Sequence, residues 1–358
     1  MRNKIVLSVF VLFMISLACR ASAQAASVPT TAPEIVSTAA LQPPPTGTQP
    51  VPTNTQPALA DATVSDTPSA ADNSADMSSN EAAPATRQQL AEVIAHARTA
   101  KRDITYCTVD GVDLKMDMYF PKGTTGITPL AVFIHGGGWS KGDKSAGAGV
   151  ADYPSLLDAG FTVASLDYRL APQYKFPAMI EDVKCAIRSL RANANQYNID
   201  PDRIGVWGLS AGSHLSILIG VTDQSAGFDV GQYLDQSSRV KAVVDMSGPA
   251  SLGMNFSPAF VKARDEVFGN YDLAKASPVT YVSPDDPPFL IIQGDKDIVV
   301  PIASGQAQEL YDKLTSAGVP AQMVVVKGGP HTLDAPNESP SRAELTKMIV
   351  DFFGRNLK

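Results

Sequence analysis

The stretch GLSAGSHL, Gly208 to Leu215, holds one serine between two glycines where the apolar run RIGVWG gives way to an apolar helical pattern. A sharp strand-to-helix turn leaves no space beside such a serine, so the glycines at 208 and 212 let the Ser210 hydroxyl stand clear of the backbone. An exposed nucleophile of this kind needs a base and a place for developing negative charge. The chain has four histidines, at 96, 135, 214 and 331. His96 precedes the sheet pattern and reads as a surface helix residue. His135 opens HGGGW and is expected to hold that loop by hydrogen bonds, while His214, one helical turn past Ser210, points into the fold. His331, in the loop that follows the last apolar run in VVVKGGPHTL, remains as the imidazole that can reach the serine proton. Its tautomer calls for a carboxylate, and FLIIQGDKDIVVP offers Asp295 and Asp297, after a strand and before His331. Asp297, three residues beyond Gly294, is favoured for that role, and Asp295 is expected to brace the turn. HGGGW supplies glycines whose amides can approach an oxyanion, so Gly137, Gly138 and the amide of Ala211 are the candidate donors. Trp139, just past them, is a candidate to edge the substrate pocket, with structural packing as the alternative.

These side chains need a scaffold that gathers strand ends. LAVFIHGGG, FTVASLDY, RIGVWGLS, VKAVVDMSG, PFLIIQGD and AQMVVVKGG are continuous apolar runs that end in glycine or polar residues, with helical segments between them. Strands apolar on both faces and alternating with helices indicate an α/β fold, a mostly parallel sheet covered on both sides. Ligands bind outside the carboxyl ends of such strands, where every candidate above lies. A short helical pattern spans roughly Gln88 to Lys101, and ITYCTVDGVDLKMDMYF reads as two alternating strands joined at Asp110-Gly111. The helix starting near Pro177 sets Ile180, Val183, Ile187 and Leu190 at the spacing needed to pack on the sheet. Gly248 to Pro288 is the segment long enough to cover the site. Its aromatics, Phe256, Phe260, Phe268 and Tyr271, are interleaved with charges and prolines, which predicts a small cap over a compact pocket rather than an apolar lid.

The chain of 358 residues divides by composition into a leader over 1–23, a linker over 24–86 and a single catalytic domain over 87–358. Arg2 and Lys4 precede the apolar run Ile5 to Ala18, and Ala21-Ser22-Ala23 offers a small-x-small cleavage site, which predicts export to an extracytoplasmic location, secreted or periplasmic. The competing reading is lipidation at Cys19, which would tether the protein to a membrane surface. The linker has six acids, no basic residue and no aromatic residue, too little to offset its ordering entropy by burial. The formal net charge of −7 is thinly spread and provides no basic surface for nucleic acid. No Cys/His spacing of zinc type occurs, so no metal is implied. Export makes pairing of Cys107 with Cys185 chemically allowed, but one lies on a strand and the other on a helix with no local framework between them, which weighs against a disulfide.

Together HGGGWSKGDK, DYRLAP, FPAMIEDVKCAIRSLRANANQYNIDPDRIGVWGLSAGSHL, SPDDPPFLIIQGDKDIVVP and KGGPHTL resemble the α/β-hydrolase esterases, especially the group of acetylxylan and feruloyl esterases and, more distantly, the hormone-sensitive-lipase group. The resemblance runs from about Ile104 to the C-terminus. It implies a catalytic triad of Ser210, Asp297 and His331, an oxyanion hole of Gly137, Gly138 and Ala211, a structural turn at Asp167 and Arg169, and no cofactor. Leu209, Ser213 and Gln293 depart from residues common in that family, which leaves the substrate open. The expected function is a serine carboxylic-ester hydrolase for short acyl esters, with acetyl or feruloyl esters of carbohydrates as the substrates implied. The alternatives are a peptidase of the prolyl-oligopeptidase type, which normally carries a large β-rich domain ahead of the hydrolase, and a non-catalytic binding module, which usually lacks a triad member. The sequence sets no oligomeric state.

Overall fold

The computed structural model describes residues 83–254, 256 and 258–358. The predicted leader, most of the linker and Cys19 lie outside the described residues. Among the described residues no helix is long and apolar enough to cross a membrane.

One sheet of eight strands organises the fold: β1 (Ala97–Val109), β2 (Val112–Pro121), β3 (Thr128–Ile134), β4 (Thr162–Leu166), β5 (Ile199–Leu209), β6 (Ala242–Met246), β7 (Phe289–Gly294) and β8 (Ala321–Val326). Their spatial order is β1-β2-β4-β3-β5-β6-β7-β8, and all pairs are parallel except β1 with β2 and β2 with β4. The six continuous apolar runs are the strands from β3 to β8. Their side chains alternate between two cores. Leu130, Val132 and Ile134 of β3 face one core together with the helices Ala178–Ala192 and Ala211–Val221, while Ala131 and Phe133 face the other with the helix Arg342–Leu357. Burial on both faces explains why the apolar runs of β3 to β7 lack a polar alternation, whereas β8, at the sheet edge, is buried only at Val326. Ile180, Val183, Ile187 and Leu190 are all fully buried on the sheet, as their spacing predicts.

Three local expectations change. The first helix ends at His96 rather than near Lys101, because Ala97 to Lys101 pair with Pro121 to Met118 and extend β1. Propensity favoured helix there, and the sheet edge overrode it. The last residues of the expected linker also bond to the domain. Ala85 N–H donates to Ser145 O at 2.7 Å, Gly147 N–H donates to Ala83 O at 2.8 Å, and Thr86 caps the helix Arg87–His96 through a reciprocal bond with Gln89. These backbone groups find partners only once the loop before Ala146 has folded beside them.

The third correction concerns the cysteines. Cys107 on β1 and Cys185 on the helix Ala178–Ala192 form a disulfide, with Cα atoms 6.5 Å apart. The framework that the sequence lacked is tertiary, since the second half of β1 lies across that helix. The bridge closes a loop with a sequence separation of 78. Cross-linking so long a loop removes much of the unfolded chain's freedom, so replacing both cysteines by alanine is expected to cost about 2–5 kcal/mol. Thermal unfolding of the Cys107→Ala, Cys185→Ala double variant checks this, and an unchanged Tm would count against it.

Candidate active site

Ser210 sits at the junction of β5 with the helix Ala211–Val221 and has φ 56° and ψ −119°, an uncommon backbone conformation for a side-chain-bearing residue. Two contacts make the turn possible. A Cβ at Gly212 would overlap the carbonyl oxygens of Ile134 and His135, and one at Gly208 would overlap the backbone of Gly212. The helix therefore docks directly against the end of β3, where the HGGGW loop begins. Ser210 N–H donates to Met246 O at 2.9 Å, which ties the turn to β6.

Asp297 follows β7 and His331 follows β8, on the same carboxyl edge of the sheet as Ser210. The structure brings the acid and the imidazole together: His331 Nδ1 lies 2.8 Å from Asp297 Oδ2, with both side chains buried. In the neutral ring this bond places the proton on Nδ1 and the lone pair on Nε2. The two loops are laced by backbone bonds, Asp295 N–H to Val326 O and Lys296 N–H to Gly329 O, each 3.0 Å long. Asp295 accepts from Gly328 N–H at 2.7 Å, which is the turn brace expected of it. Asp297 Oδ1 accepts from the amides of Val299 and Val300, both at 2.8 Å.

Gln293, noted in the sequence only as a departure from relatives, proves to be part of this cluster. Its Nε2 donates to Asp297 Oδ2 at 2.9 Å and to Val300 O at 3.0 Å. The one sequence signal for it was an amide near the end of an otherwise apolar strand. A second group missed by sequence lies beneath the serine turn. Ser213 Oγ donates to Asp245 Oδ1 at 2.6 Å, Gly248 N–H donates to the same oxygen at 2.9 Å, and burial pushes the Asp245 carboxyl up to about 7.

Gly137 and Gly138 have φ 109° and 59° in the loop after β3, and Ala211 is the first residue of the helix beyond Ser210. Gly137 O accepts from the amides of Ser140 and Lys141, which closes the loop on itself. His135 holds this loop as expected, with Nδ1–H donating to Gly136 O at 2.7 Å and its ring stacked on Tyr168 at 4.2 Å. Asp167 braces it from the side by accepting from Lys144 N–H at 2.7 Å, and Arg169 ties the adjoining turn to buried Asp182 on the helix Ala178–Ala192 at 2.8 Å. His96 lies at the end of its helix, 2.8 Å from Asp158. Trp139 is 1% exposed and packed edge-on against Phe268, Phe260 and His214. Of the other aromatics in the covering segment, Phe256 stacks on Phe260 and Tyr271 meets Phe176 edge-on, with Phe256, Phe260 and Tyr271 each half-buried.

A mostly parallel eight-stranded sheet with helices on both faces and a serine turn after β5 is the architecture of an α/β-hydrolase. Within that class the chain belongs to the BD-FAE family, whose model matches residues 116–314. The chain is 33% identical over 196 residues to "Esterase LipC" of Mycobacterium tuberculosis, an alignment covering 52% of this chain and 48% of that protein. It spans about half the length of the curated relatives it matches first. Among solved structures, a "Truncated form of carbohydrate esterase from gut microbiota" is 30% identical with a TM-score of 0.63, covering 76% of this chain and 99% of that one. An "acetyl ester-xyloside bifunctional hydrolase" from Caldicellulosiruptor lactoaceticus is 25% identical with a TM-score of 0.58, covering 69% and 89%. The resemblance read from the sequence motifs therefore stands.

Proposed function

We propose that the protein is a serine carboxylic-ester hydrolase for short acyl esters of carbohydrates, acting outside the cytoplasm. Ser210 attacks the ester carbonyl while His331 Nε2 takes its proton, and the same imidazole returns a proton to the leaving alcohol. Water then repeats the sequence on the acyl-enzyme, with Asp297 fixing the tautomer throughout and the amides of Gly137, Gly138 and Ala211 receiving the oxyanion. The observation that supports this most is the buried Asp297–His331 bond on the sheet edge that also presents the Ser210 turn. The carbohydrate class rests on the carbohydrate esterase and the acetyl ester-xyloside hydrolase to which the chain is similar. The Cys107–Cys185 bridge favours an oxidising compartment and so agrees with the leader-like N-terminus, for which soluble export and attachment at Cys19 are both proposals. A fluorophosphonate probe is expected to label Ser210 and abolish p-nitrophenyl acetate turnover. Labelling at another residue, or none, would overturn the assignment.

Chain-length preference follows from the covering segment. Among the described residues, no large apolar side chain between Gly248 and Pro288 is exposed, so the apolar face that a long-chain lid would present is lacking there. Each methylene buried in an apolar groove would contribute about 0.8 kcal/mol, and without a groove that gain is lost. We therefore expect kcat/KM for p-nitrophenyl acetate to exceed that for the laurate, both measured below micelle concentration, by about tenfold or more. A laurate value equal to or above acetate would refute the preference.

A further inference from the structure

The oxyanion site in the proposed mechanism is assembled from two pieces of chain, the loop amides of Gly137 and Gly138 and the helix amide of Ala211. Their separation must be held to a fraction of an ångström if both are to meet one oxygen. Two side chains next to those amides join the pieces. Trp139 directly follows Gly138, and His214 is one turn along the helix from Ser210, to whose carbonyl its amide donates at 3.0 Å. The indole Nε1–H of Trp139 donates to His214 Nδ1 at 3.2 Å, and His214 Nε2 lies 2.8 Å from Ala276 O, at the end of the short helix Leu273–Ala276 in the covering segment.

This pattern specifies one protonation state. Nδ1 can accept from an indole only if it carries no proton, so the hydrogen of the neutral ring sits on Nε2 and points at Ala276. Complete burial favours that neutral form and pushes the imidazolium down to about 4. Trp139 also has φ 57°, a left-handed conformation unusual for so bulky a residue, and such a backbone persists only where the surroundings over-determine it. Those surroundings include the His214 bond, the edge-on rings of Phe268 at 5.2 Å and Phe260 at 6.2 Å, and the Trp139 carbonyl, which accepts from Ala171 N–H at 3.0 Å.

We propose that Trp139 and His214 are positioning residues whose hydrogen bond sets the spacing between the two halves of the oxyanion site, with Ala276 extending the tie to the covering segment. The inference rests on the esterase reading above. Neither side chain handles a proton of the reaction. Each fixes backbone amides, so its removal should appear in the step that develops the oxyanion and spare ground-state binding.

Three variants separate positioning from packing. Trp139→Phe keeps an aromatic ring and removes the donor. His214→Asn places an acceptor oxygen near the position of Nδ1, whereas His214→Gln keeps a donor near the position of Nε2 and loses that acceptor. Kinetics with p-nitrophenyl acetate should show kcat falling about 10²-fold in Trp139→Phe and His214→Gln, with KM within threefold of wild type. His214→Asn should recover at least tenfold of that loss. Folded His214→Asn and His214→Gln proteins with equal losses, a Trp139→Phe kcat within threefold of wild type, or losses that fall mainly on KM would each overturn the proposal. Fluorophosphonate labelling of wild-type Ser210 tests the esterase reading separately, so a wild type that does not label removes the mechanism itself and leaves a different signature from variants that label yet turn over normally.

Discussion

Ser210→Ala is expected to lower kcat on a soluble ester by about 10⁶, the scale on which a serine hydrolase loses turnover when its nucleophile is removed. The change deletes one oxygen at a turn whose backbone is held by other groups. Ser210 N–H is bonded to Met246 O, His214 N–H to Ser210 O, and Gly208 and Gly212 provide the close approach. Alanine meets the same backbone strain as serine, so the fold should persist. The measurement pairs burst and steady-state kinetics on p-nitrophenyl acetate with thermal unfolding. A Tm near wild type together with lost turnover and lost fluorophosphonate labelling is the expected result. Turnover within tenfold of wild type in a folded variant would remove Ser210 from the mechanism.

Asp297→Asn should cost about 10⁴ in kcat, through the tautomer of His331 rather than through lost structure. The two carboxylate oxygens face different demands. Oδ1 accepts from the amides of Val299 and Val300, so an asparagine at this position keeps its single carbonyl oxygen there. Its NH₂ then replaces Oδ2, which in the wild type receives both His331 Nδ1 and Gln293 Nε2. Donor would meet donor unless His331 moved its proton to Nε2, and an imidazole protonated at Nε2 cannot take the Ser210 proton. Asp295→Asn is the control, because Asp295 accepts from Gly328 N–H and its replacement by asparagine retains an acceptor oxygen. Steady-state kinetics on both variants decide the matter. If Asp295→Asn were the more damaging change, the catalytic carboxylate would be the other one.

What the sequence determined by itself was whatever short-range spacing records. The six apolar runs become β3 to β8, and in β3 to β7 the reason is that strands buried on both faces must be apolar throughout, a requirement written within each segment. The serine turn was legible for the same reason, since the glycines at 208 and 212 answer a clash confined to a few residues and the end of one neighbouring strand. The different bonds of Asp295, to Gly328 N–H, and of Asp297, to His331, also arise within one short turn. The tertiary structure decided the rest. Cys107 and Cys185 meet only because β1 crosses a helix 78 residues away in sequence, and Ala97 to Lys101 become strand because β2 offers them partners. Gln293 reaches Asp297 through the shape of the turn after β7, and Trp139 reaches His214 across a separation of 75 residues. A hydrogen bond between side chains depends on direction at the scale of tenths of an ångström, and for segments far apart in sequence that direction exists only once the sheet has set their register.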